Sequence, residues 1–182
     1  EDFERGYENW KVAGEAFGQA PSRGTLPNQQ RVSGFAGRGL VNTFLNGDDT
    51  TGRLTSRTFT VERHFIRFLI GGGSHATTQF RLVVGDKIVR IMSGRDSERL
   101  EPASWEVREF EGQTAHLEIV DEQKGAWGHI NVDQIAFSDE PGNRSVLALL
   151  EELLPARFSG LRPGARAEAR DPNRLEFQNL AL

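Results

Sequence analysis

The chain has 182 residues, enough for one domain of ordinary size with a short appendage. With 37% hydrophobic residues it can build a core, and no apolar run approaches the roughly 20 residues of a membrane span. A formal charge of −4 argues against non-specific nucleic-acid binding, and the absence of Cys excludes disulfides, zinc–thiolate sites and a thiol nucleophile. Of the 22 basic residues, 19 are Arg. That suits bidentate contact with hydroxyls or carboxylates, and genome composition produces the same bias. No signal peptide is present and the sequence opens on Glu1, so it reads as a processed or excised piece.

In chain order, Asp2 and Glu4 flank Phe3, which places both carboxylates on one face of an expected first strand. Further strands are expected at 39–45, 57–61, 64–70, 79–84, 87–92, 105–110, 115–119 and 130–137. In the segment 79–84, Phe80, Leu82 and Val84 fall on one face, with Gln79 and Arg81 opposite. Turn signals separate these runs: Asn46-Gly47-Asp48-Asp49, Gly71-Gly72-Gly73 and Gly85-Asp86. In the last run, Ile130 and Val132 share a face while Ile135 and Phe137 fall on the other phase. Either a bulge lies near Asp133-Gln134, or Asp133 points inward. Many short strands without helical patterns between them predict an all-β chain, an antiparallel β-sandwich of the jelly-roll type, over 1–140.

After Pro141-Gly142 the texture changes. Val146, Leu149, Leu150, Leu153 and Leu154 recur at helical spacing, with Asn143 or Ser145 as N-cap and Pro155 as terminator. This predicts one short amphipathic helix. The segment 156–182 carries few apolar anchors, Phe158 and Phe177 among them, and reads as an extended tail. The segment 141–182 is therefore a linker or a docking element, with Leu149, Leu153, Phe158 and Phe177 as the anchors for a partner.

Two constellations carry chemistry. Trp127 and His129 lie two apart, and in strand geometry they share a face. An aromatic platform beside an imidazole suits a sugar ring, with its apolar C–H faces and polar edges. Asn42 and Arg63 offer directed hydrogen bonds, while Gly72 and Gly73 let a ligand or another backbone approach. The alternative is packing: Trp127 at the core edge, His129 satisfied behind it and the glycines a bend. Trp10 and Trp105 read as packing residues. The second constellation is Asp2, Glu4 and Asp133, which the first and last strands of a sandwich bring together. With backbone carbonyls near 46–49 they suit Ca²⁺, a cation of six to eight hard oxygen ligands. Solvated or turn-capping acids are the alternative. Nothing organised points to catalysis: Gly-x-Ser-x-Gly and phosphate-loop patterns are absent, and the four His lack short metal-ligand spacing.

Asp2-Phe3-Glu4 with Trp10, Gly39-Leu40-Val41-Asn42, Gly52 followed by Leu54-Thr55-Ser56, Phe68-Leu69-Ile70-Gly71-Gly72-Gly73, and Trp127 through Ile135 occur in this order. Together they resemble the family 66 carbohydrate-binding modules, the fructan-binding modules of levanase-type β-fructosidases, over about 1–139. The resemblance implies a jelly roll, a structural calcium, an extracytoplasmic setting and recognition of a terminal fructose without catalysis. The chain departs from the family at Arg57, where Pro is usual, at Ser74, where Asn is common, and at His64 or Phe65, where Tyr is usual. Two functions follow: a module that grips a glycan, or an accessory subunit that docks through its tail onto a larger extracytoplasmic protein complex.

Overall fold

The structure, a computed structural model, describes residues 1–141. The expected helix and tail, with Leu149, Leu153, Phe158 and Phe177, lie outside the described residues. The described part contains the strands β1 (Trp10–Gly14), β2 (Val41–Asn42), β3 (Gly52–Ser56), β4 (Phe59–Thr60) and β5 (Phe65–Gly72). They are followed by β6 (Thr78–Val84), β7 (Lys87–Met92), β8 (Ser97–Glu106), β9 (Thr114–Asp121) and β10 (Ile130–Ser138). One sheet has the order β1-β3-β9-β6-β7, with β4 also paired to β9; the other has the order β2-β10-β5-β8. Every pairing between these strands is antiparallel. The expected sandwich is what forms.

Alternation explains which faces meet. Phe80 and Leu82 of β6 and Ala115, Leu117 and Ile119 of β9 are buried from one sheet. Ile66 and Phe68 of β5, Ile130 and Val132 of β10 and Trp105 of β8 are buried from the other. The two faces lock through an aromatic trio. Phe80 stacks on Trp105 at 4.8 Å with 27° between planes, and the Phe68 ring stands edge-on to Phe80 at 4.8 Å. Such pairs add about 0.5–1.5 kcal/mol beyond the area they bury. Trp10 packs on Phe3 at the core edge, so both packing tryptophans behave as expected.

Three expectations need correction. Residues 2–4 are not a strand: Phe3 takes φ 53° and drives its ring into the core, and the first strand is β1. The strand expected at 105–110 starts eight residues earlier, at Ser97, while Arg108–Phe110 forms a 3-10 turn. Pro102 and the charges around it hid this strand; β8 lies at a sheet edge, where Pro costs no ladder bond. Trp127 and His129 lie in a turn rather than a strand. At 133–134 the bulge is real. The register slips between Asp133 and Ala136, Gln134 takes φ 51°, and Asp133 is also fully buried.

Candidate functional site

The residues that the sequence singled out at 127 and 129 meet where β10 begins and β5 ends. Gly72 and Gly73 explain how. A Cβ at Gly73 would lie 1.8 Å from the Trp127 carbonyl oxygen, and one at Gly72 would lie 2.6 Å from that of His129. The glycines let the loop between β9 and β10 lie flat on the end of β5, and Gly73 N–H donates to His129 O at 2.8 Å. What approaches them closely is backbone. Trp127 itself sits in the left-handed region, at φ 61°. A tryptophan held there costs on the order of 1 kcal/mol, which its surroundings must offset. One offset is visible: the Trp127 amide donates to Asp48 Oδ2 at 3.1 Å.

That turn, rather than strand alternation, stacks Trp127 on His129, with centroids 5.7 Å apart and 25° between planes. Phe44 meets the imidazole edge-on from another side at 5.1 Å. The ring is almost fully buried and lies between two carboxylates. Nδ1 is 2.6 Å from Asp48 Oδ1, and Nε2 is 3.1 Å from Glu98 Oε1. The second contact is short but off-angle for a hydrogen bond, so it acts as a charge pair when the ring is protonated. Burial pulls the His129 pKa down, but Glu98 and Asp48 outweigh it and hold the imidazole above its ordinary value. Glu98 is itself fixed: Oε2 accepts from Gln29 Nε2 at 3.0 Å and from Asn131 Nδ2 at 2.9 Å.

Above this buried layer opens a pocket of about 210 Å³ lined by Asn28, Gln30, Phe44, Asp48, Glu98, Ala126, Trp127 and His129. Two aromatic rings and several fixed polar groups therefore share one concavity. Asn42, expected at the site, stands one layer behind it. Its Nδ2 donates to Gly24 O and to Gln29 Oε1, at 3.1 and 2.8 Å, so it braces the glutamine that braces Glu98. Arg63 is not brought to the pocket. It precedes β5 at the end remote from Gly72 and pairs with Asp139 at 2.6 Å. Sequence reasoning missed Asp48 and Glu98 as site residues. Asp48 was visible only as a turn residue, and Glu98 lay in the strand hidden by Pro102.

The second constellation does not close into a metal cluster among the described residues. Glu4 and Asp2 both lie near enough to add to the effect of burial, which pushes Asp133 up to about 6. Their oxygens are already turned to backbone amides. Asp133 Oδ2 accepts from Ala36 N–H and Oδ1 from Gln134 N–H, at 2.9 and 2.7 Å, and Glu4 Oε1 accepts from Arg38 and Gly39. Those two amides hold the Glu4 carboxyl below its ordinary range. No buried oxygen of these three acids lacks a donor. Among the described residues, no three His, Cys, Asp or Glu side chains cluster to hold a metal by themselves. Calcium at Asp2, Glu4 and Asp133 would therefore depend on carbonyl oxygens. The turn at 46–49, expected to contribute, is joined instead to Gly125, Trp127 and His129.

Comparison with solved structures decides the architecture. A family 61 carbohydrate-binding module, solved with β-1,4-galactotriose, superposes with a TM-score of 0.51 at 15% identity, over 76% of this chain and 94% of that one. The chain has the β-sandwich fold of a carbohydrate-binding module. The K1 cleaved adhesin domain of Lys-gingipain from Porphyromonas gingivalis aligns over 74% of this chain and 94% of its own, at 13% identity and a TM-score of 0.48. By sequence, the chain is 43% identical over 157 residues to ecdE of Aspergillus rugulosus, a protein named as a glycosyl hydrolase. The match covers 83% of this chain and 22% of that relative, so the chain spans about a fifth of its length. No protein-family profile matches the chain.

Proposed function

We propose that the chain is a non-catalytic, extracytoplasmic module that binds a terminal sugar of a glycan in the pocket at Trp127 and His129. The observation that carries this reading is the pocket's construction. Two aromatic rings, Trp127 and Phe44, hold an imidazole between them, and that imidazole is fixed on both sides by carboxylates, Glu98 buried and Asp48 half-buried. An apolar platform with rigid hydrogen-bonding groups at its rim is what a pyranose or furanose needs, since its faces are apolar and its edges polar. Asn28 and Gln30 supply exposed amides at that rim.

The same construction argues against hydrolysis here. Both carboxylates in the pocket are committed to His129, rather than left free to flank a glycosidic bond as general acid and nucleophile. The hydrolase name of the fungal relative fits a module carried on a larger enzyme, since the chain matches only a small part of it. Fructose at the end of a levan chain is the first ligand to test, on the resemblance to the family 66 modules. β-1,4-Galactan is the second, from the ligand of the family 61 module. The docking function ascribed to the tail rests on residues outside those described and gains no support here.

Affinity electrophoresis against levan, β-1,4-galactan and a panel of other glycans tests the reading. Saturable retardation by one of them, abolished by Trp127→Ala in a protein of unchanged fold, is expected. Free migration of the wild-type chain through every glycan would remove the sugar-binding reading.

A further inference from the structure

β8 changes character along its inward face. Residues 99, 101, 103 and 105 fall on one side of the strand. Trp105 and Ala103 pack into the core, but Glu101 and Arg99, nearer the loop end, are exposed charges. Charged side chains are not buried between sheets without a partner, so the two sheets part there. β7 and β8 are the last strands of their respective sheets, and the gap opens between their edges. The result is a groove of about 700 Å³, against about 210 Å³ for the pocket at Trp127.

Both ends of the groove are pinned. Beyond Ser104, Arg90 of β7 reaches across, its Nε and Nη2 donating to Glu106 O at 3.2 and 2.8 Å. At the other end, the loop between β7 and β8 lies flat on the glycines of β5: a Cβ at Gly94 would stand 2.2 Å from Gly72 O. Ser93 Oγ donates to His75 O at 3.1 Å, and the Asp96 carboxylate accepts from the amide and hydroxyl of Ser74 at 2.8 and 3.0 Å. The glycine run of β5 thus seats two loops, this one and the one that carries Trp127.

The lining is amphipathic. Ile70, Met92 and Ala103 give an apolar floor. Of the three charges around it, Arg95 and Glu101 lie 3.9 Å apart and offset one another. Arg99 remains, and its guanidinium has no ion-pair or hydrogen-bond partner among the described residues. A guanidinium is a planar fork of donors that a carboxylate fills with two parallel bonds. We infer that the groove binds uronate residues of an acidic polysaccharide, with a carboxylate on Arg99 and the apolar face of the sugar ring on Ile70, Met92 and Ala103. The chain carries a net charge of −4, so an acidic polymer is drawn by this local charge and not by the protein as a whole. The inference does not rest on the reading of the pocket at Trp127, which neither Arg99 nor the apolar floor lines.

The test is affinity electrophoresis of the full chain in gels holding polygalacturonate, its methyl ester, which keeps the backbone and loses the charge, or poly-L-glutamate. Polygalacturonate should retard the wild type saturably, and less as NaCl is raised. The methyl ester and poly-L-glutamate should retard it little. Arg99→Ala, which removes an exposed side chain, should keep the wild-type melting temperature and bind about tenfold more weakly or worse. Arg99→Glu should migrate freely, whereas Trp127→Ala should be retarded like the wild type. Free migration of the wild type in polygalacturonate overturns the inference, and so does equal retardation in the methyl ester or in poly-L-glutamate. Retardation that survives Arg99→Glu also overturns it and leaves Arg99 as a charge that guards a sheet edge. Retardation lost in Trp127→Ala would move the acidic sugar to the other pocket and sink the groove as its site.

Discussion

The middle of the sandwich and the end that carries His129 are held together by opposite means. Between the sheets, Phe68, Phe80 and Trp105 are apolar, interdigitated and indifferent to pH. At the loop end, Glu98, Asp121 and His129 are titratable and buried, Asp48 is half-buried beside them, and the four depend on one another. An apolar core tolerates any partner of the right volume, whereas a buried charge needs a particular counter-charge in a particular place. The sandwich supplies stability; the loop end uses some of it to hold a set of polar groups rigid.

The largest effect should come from breaking the apolar side. Trp105→Ala removes the ring that Phe80 stacks on and Phe68 tilts against, in a site only 5% exposed. A loss of about 3–5 kcal/mol is expected in urea unfolding. A loss below about 1 kcal/mol would mean that the two sheets are not locked there.

How legible these regions were differs for the same physical reason. The strand at 79–84 stood out because period-two burial writes itself into the residue order, whereas 87–92 and 130–137, whose burial does not alternate, stood out as short apolar runs. Lys87–Met92 formed as expected to the residue. The bulge at Asp133 was visible as a change of phase. Glu98 was not visible, because a buried glutamate looks like any surface glutamate until His129, Gln29 and Asn131 surround it. Trp127 and His129 were picked out correctly as a pair and for the wrong geometric reason. Strand alternation does not align them; a left-handed turn that no local pattern announces does.

An intermediate effect should follow from breaking the polar side at Glu98. Glu98→Gln keeps the shape, removes the charge beside His129 and turns an amide toward donors of Gln29 and Asn131. A cost of roughly 1.5–3 kcal/mol is expected. It should also change the pH response. His129 has its folded pKa raised above the ordinary 6.5, so its stabilisation is complete below that value and lost as pH climbs through the folded value. Asp121 and Asp133, raised to about 7 and about 6 from 3.8, act in the same sense, because their neutral forms are favoured by the fold. The melting temperature should therefore fall from pH 5 to pH 8, and less steeply in Glu98→Gln. Parallel curves for the two proteins would show that Glu98 does not hold the imidazole's proton.

The smallest effect should come from Arg63, and it separates the two regions most cleanly. By residue type, Arg63 was as good a candidate for gripping a sugar hydroxyl as His129. Its position decides otherwise. It lies beyond the far end of an eight-residue strand whose other end touches the pocket, a distance of roughly 25 Å at about 3.3 Å per residue. Its guanidinium is paired with Asp139 in solvent, where ion pairs contribute little. Arg63→Ala should leave glycan retardation indistinguishable from wild type and should barely move the melting temperature. If instead it abolished retardation as Trp127→Ala is expected to do, the sugar would sit against the other end of the sandwich. The buried charges around His129 would then be scaffolding for the loop alone.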